Sequence, residues 1–357
     1  MNTTEKLIDL IGTPFMEFKK LDYSDEQLLD MYEYAFPNRV ALLFLSLYKR
    51  EDWDARLEEK YRVLKKREKD TLDVITRLAD KLNKFDKNNY VIFKSIKPYP
   101  ATPNDTDVIF LGNKKEYKKL NTYMLENGYE FHEWAPQQKT YYDVRGKNKI
   151  GKGKKGGTYY IDLYEEISTD YYAYGNKNNL RKFIITKNIN GIDVKLLASE
   201  PELAIIMFHN VFPERTFQLE HFYVPLYYLS NPEFNIEIFI DFVHDNKMAT
   251  AIKANISLIS ILHEKHFGFI PKQLEHLISE FGVDKKEQKL FIRNNYATPF
   301  MFSPRIFWKT FLRKTQEFYS FQSLFIQGLK MFNPFFFLDV MRALKNRFSE
   351  EGTYHLE

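Results

Sequence analysis

The chain has 357 residues, 28% of them charged, with 52 basic against 48 acidic side chains and a net charge of +4. That length buries a large core in two or three structural units, and the near balance of charge excludes a whole-molecule nucleic-acid footprint while leaving local patches open. The absence of cysteine excludes disulfides, thiolate nucleophiles and cysteine-based zinc sites.

The opening "MNTTEKLIDLIGTPF" lacks the charged start and apolar run of a signal peptide. No stretch approaches the roughly 20 uninterrupted apolar residues of a membrane span, so a cytoplasmic location is expected. Residues 24–50 read as two short helices around Pro37, the first opened by Ser24 with Gln27 at capping-box spacing. From Trp53 to Phe85, Leu57, Tyr61, Leu64, Leu72, Ile75, Leu78 and Leu82 recur mostly three or four apart. That spacing predicts one long amphipathic helix. "VIFKS" then reads as a short strand, and a loop with Pro98, Pro100 and Pro103 leads to the strand "DTDVIFLG". "KKEYKKLNTYMLENGY" predicts a helix ending at Gly128, and "KTYYDVR" and "GTYYIDLYEEI" predict two strands joined by a basic tip. After "GIDVKLLA" the pattern becomes helical, with Pro201 in the first turn of a helix, and the remainder reads as helices separated by proline-bearing turns. The order implies an α+β protein with a small mixed β-sheet core over 53–200, a helical segment at 1–52 and a mainly helical domain at 201–357.

The chemistry concentrates in "PNDTDVIF". Asp105 and Asp107 are two apart, so on a strand they share a face, and two carboxylates so placed repel each other unless a cation lies between them. Ser95 ends the preceding strand, and Asp162 is the central acid of "YYIDLYEE". Three carboxylates on adjacent strands suit hard divalent cations such as Mg²⁺ or Mn²⁺, which position and neutralise phosphates. Asp143, Glu165 and Glu166 compete for the role of third acid, and strand parity puts Glu166, not Glu165, on the Asp162 face.

An apolar residue and a Gly-Ser-like pair, a short loop, Asp-x-Asp and a later lone acid together resemble the nucleotidyltransferase superfamily of DNA polymerase β. The "IDLY" strand and the histidine-bearing helix of "DVKLLASEPELAIIMFHNV" are most similar to its uncharacterised nucleotidyltransferase families. The likeness covers about residues 60–230. It implies a nucleotidyltransferase core in which Asp105, Asp107 and Asp162 bind metal and carry catalysis. It further implies that Lys94 and Ser95 hold the nucleoside triphosphate (ATP or another NTP). The transferred group would be a nucleoside monophosphate and the acceptor a hydroxyl of RNA, a protein or a small molecule. The sequence departs from the family at Lys94, where the first glycine stands, and this favours the alternative of a non-catalytic binding or scaffold protein.

The tip carrying Arg145, Lys147, Lys149, Lys152, Lys154 and Lys155 offers phosphate contacts to a polyanion, which tilts the acceptor towards RNA. Its "GKGKKGGT" is not a phosphate loop, because Gly157 occupies the position of the required lysine. "HEKH" at 263–266 lacks the spacing of a zinc-protease helix, and His209 and His221 read as helix-packing residues. The aromatic and basic C-terminal region reads as packing core or as a face for a partner or a membrane surface.

Overall fold

Residues 2–18, 22–49, 51, 53–103, 105–135, 137–146, 159–169, 172–338 and 341 are described by a computed structural model. In chain order, the first elements are α1 (Thr3–Ile11), α2 (Asp25–Ala35), α3 (Ala41–Tyr48) and α4 (Ala55–Asp86). There follow β1 (Tyr90–Phe93), β2 (Thr106–Phe110), α5 (Lys114–Glu126), β3 (Tyr129–Ala135) and β4 (Gln138–Asp143). Next are β5 (Tyr160–Tyr164), β6 (Ile167–Thr169), β7 (Tyr172–Gly175), β8 (Ile184–Ile189), β9 (Ile192–Leu197) and α6 (Ser199–Val211). The remainder holds β10 (Thr216–Phe217), α7 (Leu219–Ser230), α8 (Ile236–Asp245), α9 (Ala249–Phe267), α10 (Lys272–Phe281) and α11 (Lys285–Arg293). It ends with β11 (Phe300–Met301), α12 (Pro304–Lys314) and α13 (Phe318–Lys330). The protein is therefore of mixed α+β class, and among the described residues no helix is long and apolar enough to cross a membrane.

By contact the chain divides into two units, neither of them continuous in sequence. One comprises residues 1–69, 96–102 and 199–314, and the other 70–95, 103–198 and 315–357. The 32-residue α4 contributes to both.

The first unit is helical. Its centre is α9, buried on nearly every side from Ala251 to His263 and packed by α1, α6, α7, α8, α10, α11 and α12. A helix apolar all round belongs inside such a bundle. Buried polar side chains of α9 find partners there. Asn255 donates to the Met207 carbonyl at 2.7 Å, and buried His263 meets the Phe269 carbonyl at 2.8 Å and Thr13 Oγ1 at 2.9 Å. His266 bonds Asp9 at 2.7 Å, and His221 Nδ1 accepts the Gln218 N–H, so these histidines pack and cap helices. The capping box expected at Ser24 is formed with Gln27.

The second unit is built on a seven-stranded mixed sheet of order β3-β4-β5-β2-β1-β9-β8. β2 runs antiparallel to β1 and parallel to β5, β5 antiparallel to β4, and β1 parallel to β9. Both β1 and β2 are buried along their whole length, including the polar Thr106 and Asp107 that open β2. α5 starts at a capping box of Asn113 and Glu116 and ends before Gly128, whose φ of +92° suits a residue without Cβ. It is tied to the sheet by the Tyr117 hydroxyl, which donates to the Leu163 carbonyl at 2.8 Å. α13 packs against β7 through small residues: Ser320 and Ser323 are buried, and Ser323 Oγ accepts the Ala173 N–H at 2.9 Å.

Candidate functional site

The sheet register lines up four side chains from four neighbouring strands. Thr140 of β4 stands opposite Asp162 of β5, Asp162 beside Asp107 of β2, and Asp107 opposite Phe93 of β1. Registered neighbours share a face and lie about 5 Å apart, so the topology alone places the Asp107 and Asp162 carboxyls side by side. Asp105 precedes β2 in a bend rather than on the strand. Its charge nevertheless reaches the same place: Tyr164, two residues after Asp162 and on its face, has a hydroxyl pKa raised by burial and by the carboxylates of Asp107, Asp162 and Asp105.

Ser95 explains how the strand end is held. β1 stops at Phe93, and the Ser95 side chain then substitutes for the missing ladder. Its Oγ accepts the Asp107 N–H at 2.9 Å and donates to the Phe93 carbonyl at 2.9 Å. Only a short hydroxyl side chain at this turn does both, and it fixes the backbone under the Asp107 carboxylate.

Lys94 stands between Phe93 and Ser95 with φ +57°, the left-handed conformation that favours glycine. This is the position where the sequence departs from the glycine of the resembled family. The turn carries a lysine, and its side chain folds back over the site: Nζ is 3.4 Å from Asp107 Oδ1, 4.8 Å from the Phe93 ring centre and 5.7 Å from that of Tyr164.

The electrostatics follow from crowding. Asp162 is pushed up to about 6, first by burial and then by the adjacent Asp107 charge. Hydrogen bonds from Thr140 and Gln138 and the Lys94 charge pull the other way, the Thr140 hydroxyl donating to Asp162 Oδ1 at 2.6 Å.

The other expected residues are placed differently. Asp143 is fully buried and paired with Arg77 at 3.2 Å and Arg145 at 2.8 Å, so Arg145 serves this structural pair. Glu166 pairs with Lys177 at 3.3 Å and accepts from the Tyr319 hydroxyl. Lys177 itself is buried, donating to the carbonyls of Gly112 and Glu165. Lys147, Lys149, Lys152, Lys154 and Lys155 lie outside the described residues. Thr140, Gln138 and Tyr164 had not been singled out from the sequence. Tyr164 was accessible by strand parity from Asp162, whereas Thr140 and Gln138 depend on a hairpin register that the sequence does not reveal.

Among the described residues, no group of three or more His, Asp and Glu side chains stands close enough to hold a metal alone. Mg²⁺, however, is commonly bound by one or two carboxylates together with substrate phosphates, and the donors here are hard carboxylate oxygens. Burial first and then the adjacent Asp107 charge raise Asp162, and a cation between the two carboxyls would relieve the second of these. The residues therefore fit a hard divalent ion. Fold and site together define an α+β protein with a crowded carboxylate pair at one end of a mixed sheet. In comparisons with known proteins, no family model, curated protein or solved structure matches the chain.

Proposed function

We propose that this protein is a metal-dependent nucleotidyltransferase that moves a nucleoside monophosphate from an NTP to an acceptor hydroxyl. The observation that carries the reading is the in-register pair Asp107–Asp162 on parallel strands, with Ser95 locking the Asp107 backbone. Asp105, Asp107 and Asp162 would hold the divalent ion, which supplies charge neutralisation to the phosphates. Ser95 and the surrounding turn orient the triphosphate, and Lys94 brings a positive charge to the same end of the sheet. Asp162, beside Asp107 in the register, would complete the site and help to deprotonate the attacking hydroxyl. RNA is the favoured acceptor because of the lysine-rich run at 147–155.

A second reading, a binding or scaffold protein that retains the fold without turnover, draws on Lys94, whose ammonium already neutralises Asp107. The exposed aromatics Phe318, Phe321, Phe325 and Phe332 support contact with a partner or a membrane surface in either case.

Thermal unfolding with and without nucleotide tests the site directly, since a ligand bound only by the folded state adds about 2.7 kcal/mol at a hundredfold excess over its Kd. Stabilisation by NTP that needs Mg²⁺ and disappears in Asp107→Ala is expected. Stabilisation indifferent to both would overturn the metal-site reading.

A further inference from the structure

The Lys94 ammonium sits where a cation is needed, and the chain holds it there against a backbone preference. A lysine at φ +57° is in a conformation that glycine adopts freely and side-chain-bearing residues avoid. Its aliphatic stem is mostly covered, with the side chain only 14% exposed. Its nitrogen lies 3.4 Å from Asp107 Oδ1 and over the faces of Phe93 and Tyr164. Ring faces attract a cation, and more strongly where water is excluded. The same charge acts on Asp162 across the strand pair. The ammonium thus already stands against Asp107, one of the two carboxyls that the sheet register sets side by side.

We infer that Lys94 is a resident counter-cation of the carboxylate site, taking the place of one divalent ion so that the site accepts one such ion and not two. The inference rests on the metal-site reading above and adds to it the number of ions and the residue that sets it. Lys94 is in this account a specificity-determining residue: it fixes the charge that an incoming ion and its phosphate ligands must complement. A metal pair brings four positive charges to the carboxylates. One metal with Lys94 brings three, to a pair of carboxyls that the register sets side by side.

The test is the stoichiometry of Mn²⁺ bound to the full-length protein, read from the loss of the free-ion electron paramagnetic resonance signal. Lys94→Gly removes the charge and suits the backbone, while Lys94→Met removes the charge and keeps a long chain at the same φ. Wild type is expected to bind one Mn²⁺ and both variants two, with the added ion lost again when Asp107→Ala is combined with Lys94→Met. Equal stoichiometry in wild type and both variants would overturn the inference while leaving the metal site standing. A gain with Gly alone would also overturn it, since the cause would then be backbone or space rather than charge. Failure of all three proteins to bind Mn²⁺ would instead overturn the metal-site reading itself and the inference with it.

Discussion

Asp162→Asn should stabilise the metal-free protein, and only above mildly acidic pH. The native carboxyl titrates at about 6, against 3.8 for an unperturbed aspartate. The folded state therefore retains a proton that the unfolded chain has released between those values. Stability from this group is greatest below the unfolded value and is lost as pH rises through about 6. Two pKa units at 1.36 kcal/mol each set an upper limit of about 3 kcal/mol above pH 7, and rearrangement of Lys94 and Asp107 reduces it towards about 1 to 2. Asparagine keeps the acceptor that the Thr140 hydroxyl uses at 2.6 Å, so the substitution removes charge with little change of contact. Urea unfolding in chelator at pH 8 and pH 4 checks this. The variant should be more stable at pH 8 and indistinguishable from wild type at pH 4. A loss at pH 8, or a gain of equal size at both values, would refute the electrostatic account of the pair.

Other substitutions probe the frame around the site. Ser95→Ala leaves the buried Asp107 N–H without its acceptor and should cost about 1 to 3 kcal/mol in urea unfolding; a cost below about 0.5 kcal/mol would mean that Ser95 does not hold the strand end. Asp143→Ala strands Arg77 and Arg145 and should cost about 3 kcal/mol, at the low end for a buried pair because both arginines reach solvent; a neutral result would show that the pair is incidental. Leu258→Ala at the centre of α9 should lower stability by about 2 to 5 kcal/mol by opening a cavity, as measured by denaturant midpoint. Phe325→Glu on the exposed face of α13 should leave the melting temperature unchanged, because Phe325 is 62% exposed, and should weaken any sedimentation with anionic vesicles.

Much of this architecture was legible where local chemistry decides it. The three-and-four spacing from Leu57 to Leu82 marked α4, Ser24 and Gln27 marked the start of α2, and Gly128 the end of α5. The buried strands β1, β2 and β5 announced themselves as short apolar runs bounded by polar turns. The strands that the sequence did not reveal are β3, β6, β7, β8 and the two-residue β10 and β11. β8 is an edge strand whose middle residues face water, so "IITKNI" shows no period of two, and β3 mixes charged residues with Phe131, which is half exposed. The site residues divide in the same way. Asp-x-Asp and the serine before it were visible as spacing, and Asp162 as the acid of a β-rich run. The role of Asp143 as a buried partner of two arginines was not, since Arg77 lies on a helix far away in sequence. Nor could the fate of Lys94 be read from the sequence, because a positive φ and a side chain folded back onto Asp107 are products of the turn as a whole. The non-contiguous units were equally hidden, since residues 96–102 join the helical unit by packing rather than by any change of composition.

The central claim is tested most directly by incubating the purified protein with each α-labelled NTP, Mg²⁺ or Mn²⁺ and total RNA, beside Asp105→Ala/Asp107→Ala. Label is expected in RNA with the wild-type protein and not with the double variant. Label that appears equally with the variant, or no consumption of any NTP by wild type under either metal, would contradict nucleotidyl transfer at these carboxylates.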